Sequence, residues 1–194
     1  MPLALLALPF ALMSHANAAS YAVDPVHSRV GFSVVHMTIS NVRGEFGTVS
    51  GTVDYDDKNV AGTKVSATVG VASVDTHDQT RDADLLSTNF FDATKFPNMT
   101  FTSKSAKAGT GGALDLTGDL TIHGVTREVT FHCDPFSAEI KDPWGATRRA
   151  THATATINRQ DFGMNFNKTL DAGGYVVSDE VKIELDVEMK KTAG

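Results

Sequence analysis

The residues of this chain with chemical capacity are seven histidines, one cysteine and scattered serine and carboxylate side chains. His36 stands out by position. It follows Val30, Phe32 and Val34 at intervals of two, so on a strand its imidazole shares their apolar face, with Arg29, Gly31 and Ser33 opposite. There it could hydrogen-bond the polar head of a ligand, act as a base inside an apolar compartment, or be a structural histidine bonded to the fold. His27, beside Ser28, suits a turn cap. His132 and Cys133 are adjacent, so on a strand their side chains point to opposite faces and cannot readily share a metal. No histidine pair has the spacing of a helical zinc site, and no serine sits in a nucleophile elbow. Cys133 is in step with Val129 and Phe131 and reads as a small buried hydrophobe. The chain is expected to be neither an enzyme nor a metal protein, and to use no cofactor. Binding is the chemistry that remains.

The elements that would position such a site are strands. The last strand reads as Val176–Lys190, and from Val181 to Met189 its apolar and charged residues alternate without a slip, so one face of this strand is greasy and the other charged. Similar alternation marks Val30–His36, Phe46–Tyr55, Val65–Val71, Met99–Ser103, Leu114–Ile122, Val125–Cys133 and Thr147–Ile157. The phase change between Phe46 and Val49, beside Gly47, predicts a bulge that bends the second of these strands. His123-Gly124 predicts a tight hairpin turn between the fifth and sixth. Eight antiparallel strands suffice to close a barrel. The expected fold is therefore all-β, an eight-stranded antiparallel lipocalin-like barrel. One short helical segment, Asp78 to Phe91 with Asp78 as its cap, falls between the third and fourth strands. One Trp and three Tyr are too few for the aromatic girdles of an outer-membrane barrel, so the apolar face is expected to turn inward.

The apolar run Leu3–Met13 followed by Ala16-Asn17-Ala18 reads as a secretory signal peptide over residues 1–19, cleaved near Ala18. Residues 20–194 then form a single domain, expected in the periplasm. The net charge of −6 argues against nucleic acid as a partner. A transient contact with a membrane or membrane protein, and a homodimer, are left open.

The inward face is either a packed core or a ligand cavity, and one dimension does not separate the two. The small residues Ala153 and Ala155 favour a cavity. Its expected lining is Phe32, Val34, Val69, Val71, Phe101, Leu116, Leu120, Val129, Phe131, Ile183 and Leu185, with His36 at one end. Leu85, Leu86, Phe90, Phe91 and Phe96 form an aromatic cluster that would cover the barrel mouth, as a gate or as a plug. Arg81 and Asp82 could fix that segment as an ion pair.

Several motifs lie in order along the chain. They include Tyr21-Ala22-Val23-Asp24-Pro25-Val26-His27-Ser28, Val42-Arg43-Gly44-Glu45-Phe46 and Phe90-Phe91-Asp92. Gly118-Asp119-Leu120-Thr121-Ile122-His123-Gly124-Val125-Thr126, Asp142-Pro143-Trp144-Gly145 and Asn158-Arg159-Gln160-Asp161-Phe162-Gly163 continue the series. Together they resemble the YceI-like family across nearly all of residues 20–194. Leu85-Leu86-Ser87 departs from the family's usual Leu-Arg-Ser and lacks its positive charge. The resemblance implies an exported lipocalin-like barrel holding a long apolar ligand, typically a polyisoprenoid or an isoprenoid quinone. Other members look tied to fatty-acid-like amphiphiles. A carrier or reservoir, a filled-core stress or interaction protein, and a lipid-modifying enzyme are the three readings carried forward.

Overall fold

The computed structural model describes residues 18–171 and 173–192. The expected leader over residues 1–19 lies almost wholly outside them; Ala19 itself begins the first strand. The chain forms β1 (Ala19–Val23), β2 (Arg29–His36), β3 (Ser40–Phe46), β4 (Val49–Tyr55), β5 (Lys64–Gly70), β6 (Val74–Asp75), α1 (Gln79–Leu86), β7 (Asn98–Ala108), β8 (Leu114–Ile122), β9 (Val125–Cys133), β10 (Ile140–Lys141), β11 (Thr147–Asn158) and β12 (Glu180–Lys191).

These strands close into one barrel. β1 and β2 lie end to end along β12, β3 and β4 end to end beside them, and β5 and β6 beside those. β7, β8, β9 and β11 continue the antiparallel series, and β11 pairs with β12 from Arg148 to Asn158 to close it. The wall is thus an eight-stranded meander in which three strands are each interrupted once. The breaks fall at residues 24–28, 47–48 and 71–73. Because of them the helix follows the sixth strand in chain order, between β6 and β7, and not the third. Periodicity marks one member of each broken pair, β2, β4 and β5, and misses β1, β3 and β6. The phase change at Gly47 is one of these breaks, with Phe46 and Val49 both buried on either side of it.

Alternation fixes which face is inside. Along β8 every second residue from Leu114 to Ile122 is buried. Along β12, Lys182, Glu184 and Asp186 point to solvent while Ile183 and Leu185 point in. Gly118 sits on that inner face, and a Cβ there would meet the Thr102 carbonyl at 2.4 Å and the Phe101 ring at 2.7 Å. The missing side chain leaves room for the Phe101 ring over Gly118. The β8–β9 turn has His123 and Gly124 both at positive φ (52° and 73°), the backbone of a tight hairpin.

The lower end of the barrel is plugged. Tyr55 and Phe136 stack with centroids 4.2 Å apart, and the buried Arg149 guanidinium lies 4.7 Å from the Tyr55 centroid. Arg149 also donates to both Asp57 carboxylate oxygens and to the Ser137 carbonyl.

The break between β1 and β2 is pinned from outside by Arg148, which donates to Asp24, to Asp142 at 2.6 Å and to Glu188 at 2.7 Å. The hydrogen bonds from Arg148 hold the Asp24 and Asp142 carboxyls well below the usual carboxylate range. A depressed carboxyl stabilises the fold fully above its unfolded value of about 3.9, and the contribution is lost as pH falls through the lower folded values. Arg148→Ala leaves three carboxylates facing one another. The variant should be less stable than the wild type at pH 7. The gap should begin to narrow only below about pH 4, where the unfolded carboxyls protonate, and still be open at about pH 3, where the folded Asp24 carboxyl remains ionised. Denaturant melts across that range check it; a pH-independent gap would mean that Arg148 acts through packing alone.

Candidate ligand-binding cavity

A cavity of about 410 Å³ runs along the barrel axis, within the size range of small-molecule sites. Of the residues expected to line it, Phe32, Val34, His36, Val69, Phe101, Leu116, Leu120, Phe131, Ile183 and Leu185 do so, as do Leu85, Phe90 and Phe91 from the cover. Val71, Val129 and Phe96 do not. β5 ends at Gly70, so Val71 falls in a 3-10 turn and packs into the core. Val129 pairs with Gly118, the position overlain by the Phe101 ring, and packs beside the core without reaching the lumen. Phe96 sits on the β8–β9 hairpin tip instead, edge-on to His123 at 4.8 Å and over Gly124.

The Phe101 and Phe131 rings meet edge to face at 5.1 Å on the wall. Cys133 also lines the lumen, and burial pushes its thiol up to about 11. It is a wall residue and not a nucleophile at neutral pH.

The upper end is closed by irregular segments. Asp78 caps α1, accepting from the Thr80 and Arg81 amides. Arg81 and Asp82 do not pair with each other. Asp82 accepts from the Thr76 amide and hydroxyl at 2.9 and 2.6 Å, while Arg81 donates to the same hydroxyl and to the Thr76 carbonyl. Thr76 is the clasp that fixes α1 to the barrel rim. Phe91 packs edge-on against Phe46 at 5.6 Å. Phe90 reaches across the mouth to Phe166, with centroids 5.2 Å apart.

Phe166 belongs to the segment between β11 and β12, which also brings Met164, Val176 and Val177 to the cavity. Buried Arg159 holds that segment, donating to the carbonyls of Ser178 (3.0 Å), Met164 and Phe166 (2.8 Å) and to Asp179 (2.8 Å). Sequence periodicity gave no sign of Met164 and Phe166, and it began the last strand at Val176, whereas β12 starts only at Glu180 and leaves Val176 and Val177 in this irregular segment. The imidazole of His36 lines the cavity beside Val176 and Val177. Among the described residues its side chain makes no hydrogen bond to the protein.

A closed antiparallel barrel with its charged face outward and an apolar cavity inside is a binding-protein architecture. The YceI-like domain model matches residues 21–189, and the chain belongs to the YceI-like family. It is 39% identical over 190 residues to Protein YceI of Shigella flexneri, covering 95% of each chain. Among solved structures it resembles BcnA of Burkholderia cenocepacia, with a TM-score of 0.75 at 25% identity, covering 86% of this chain and 98% of that one. It also shares the fold of a polyisoprenoid-binding domain from Saccharophagus degradans, with a TM-score of 0.66 at 18% identity, covering 90% and 99%.

Proposed function

We propose that this protein is an exported soluble carrier or reservoir that holds a long isoprenoid-type lipid, a polyisoprenoid or an isoprenoid quinone, inside its barrel in the periplasm. The observation that carries the reading is the axial cavity, about 410 Å³ and walled by Val, Leu, Ile, Phe and Met side chains. An isoprenoid tail has no hydrogen-bonding groups, so such a wall leaves nothing unpaired, and burial stabilises it by roughly 25 cal/mol per Å². The shared fold with a polyisoprenoid-binding domain supports the same ligand class. His36, at the mouth and free of side-chain hydrogen bonds among the described residues, is placed to bond the polar head of the ligand. The lipid is the ligand, and the reading needs no cofactor.

Native mass spectrometry and organic extraction of protein purified from cells should show a co-purified apolar molecule. A clean apo mass after gentle purification would count against the carrier. Turnover of the extracted lipid by the wild type that His36→Ala abolishes would replace it with an enzyme.

The Phe90–Phe166 contact makes a further expectation concrete. Phe90 is half-buried, so Phe90→Ala should lower stability by well under the roughly 3–5 kcal/mol of a fully buried phenylalanine. Release of a fluorescent lipid should nevertheless speed up several-fold, independently of salt, because apolar contact forms the barrier. Unchanged release with a large stability loss would make the contact a structural plug.

A further inference from the structure

The outer rim of the cavity mouth carries apolar side chains that no part of the described fold covers. Val35, Met37, Ile39 and Tyr175 are all exposed, Ile39 to 83%. Backbone pairing brings them together. The Met37 amide donates to the Val176 carbonyl at 2.8 Å, the Ser178 amide donates to the Val35 carbonyl at 2.9 Å, and His36 bridges Val177. Their chain neighbours Val34, His36, Val176 and Val177 line the cavity. The same two segments therefore form cavity wall on one side and an apolar lip on the other.

The lip is uncharged. Neither Val35–Asn41 nor Gly173–Ser178 contains Asp, Glu, Lys or Arg, in a chain whose charged residues make up 21%. Its turn is also built from residues that turn geometry disfavours. The Ile39 amide closes the turn onto the His36 carbonyl at 3.1 Å, with Met37 and Thr38 both left-handed at φ 50° and 65°. Asn-Gly suits such a turn, and a β-branched Thr is an outlier there. A polar Asn-Gly tip would fold more readily and dissolve more readily. An apolar tip kept against both preferences reads as a contact surface.

We propose that this lip seats in the surface layer of a lipid bilayer, so that the mouth opens toward the acyl chains and ligand passes between bilayer and lumen without crossing water. The inference rests on the proposal that the cavity holds an apolar lipid, whose source and destination are then membranes. Tyr175 has the apolar ring and polar tip that favour the membrane interface. With a net charge of −6 and one cation beside the lip, Lys168, whose carbonyl accepts from the Val176 amide, attraction to anionic head groups is not what holds it. Shallow insertion of apolar tips is, and so small a contact gives reversible binding.

Two measurements separate the lip from the cavity. Co-sedimentation with vesicles of phosphatidylcholine alone reads the lip, and uptake of N-phenyl-1-naphthylamine without vesicles reads the cavity. The wild type should sediment with the vesicles, with little dependence on salt. Ile39→Asp should lower the bound fraction about tenfold or more while uptake of the fluorophore and the melting curve stay unchanged. Ile39→Leu should bind as the wild type does. Equal sedimentation of the wild type and Ile39→Asp, or none by the wild type, overturns the lip. A concentration-dependent dimer that Ile39→Asp dissolves, without vesicle binding, overturns it in favour of a second copy of this chain. Failure of the wild type to take up the fluorophore strikes the cavity instead, whatever the vesicles show.

Discussion

With phenylalanine in place of Ala153, the protein should keep its stability and lose its lipid. Ala153 is buried on the inner face of β11, flanked in register by Leu185 and Cys133, and all three line the cavity. In a filled core an added ring overpacks and costs roughly 1–3 kcal/mol. In an open lumen the ring has room, and the apolar surface it buries offsets what little strain it causes. The expected stability change is therefore within about 1 kcal/mol of zero. The ring takes the space the ligand needs, so lipid retention should fall by about a hundredfold or more, equivalent to roughly 2.7 kcal/mol of binding. Denaturant midpoints beside the amount of extracted lipid decide it. A loss of about 2 kcal/mol or more with lipid retained would mean that the lumen is core and the lipid sits elsewhere.

Arg159→Met should be the most destabilising single change at the mouth, at about 3–5 kcal/mol. Methionine keeps the apolar stem of the side chain and removes every donor. The carbonyls of Ser178, Met164 and Phe166 then lose their partner, each at a cost of roughly 1–3 kcal/mol when water cannot reach it, and Asp179 loses its cation. The segment carrying Phe166 would loosen, so release should also be faster than in Phe90→Ala. Arg159→Lys should recover only part of the loss, because an ammonium cannot reproduce the planar fork. A melt of Arg159→Met within about 1 kcal/mol of the wild type would show that water satisfies those carbonyls and that the segment stands without its arginine.

What could be read from the sequence followed the reach of its periodicities. Period-two alternation placed Leu116, Leu120, Phe131, Ile183 and Leu185 on the inner face, and the structure has them there. It carried Val71 one step too far, because nothing in Val69-Gly70-Val71 announces that the strand ends at Gly70. It also missed Val129, where register was right but a neighbouring ring intervened; a contact across strands leaves no mark along one strand. Phe96 was assigned to the cover through nearness in sequence to Phe90 and Phe91, whereas the partner that takes it away, Gly124, lies far along the chain. The Asn158–Gly163 motif was visible, but the role of Arg159 was not. Its partners are backbone carbonyls, and a carbonyl has no residue type to recognise.

The three interruptions in the wall lie on one line. Residues 24–28 stand beside 47–50, and 47–48 beside 71–73, so the ladder thins across three adjacent strands at a single height. Above that line β2, β3, β6 and α1 form a panel that carries the mouth; below it β1, β4 and β5 belong to the plugged end. A seam of this kind is a natural hinge, since tilting the panel breaks few interstrand bonds compared with bending any continuous strand. Amides in β2 and β3 should accordingly exchange with solvent sooner than those in β1 and β4. A container whose wall swings along a prepared crease can widen to admit a bulky guest, then return to a shape narrow enough to keep water out.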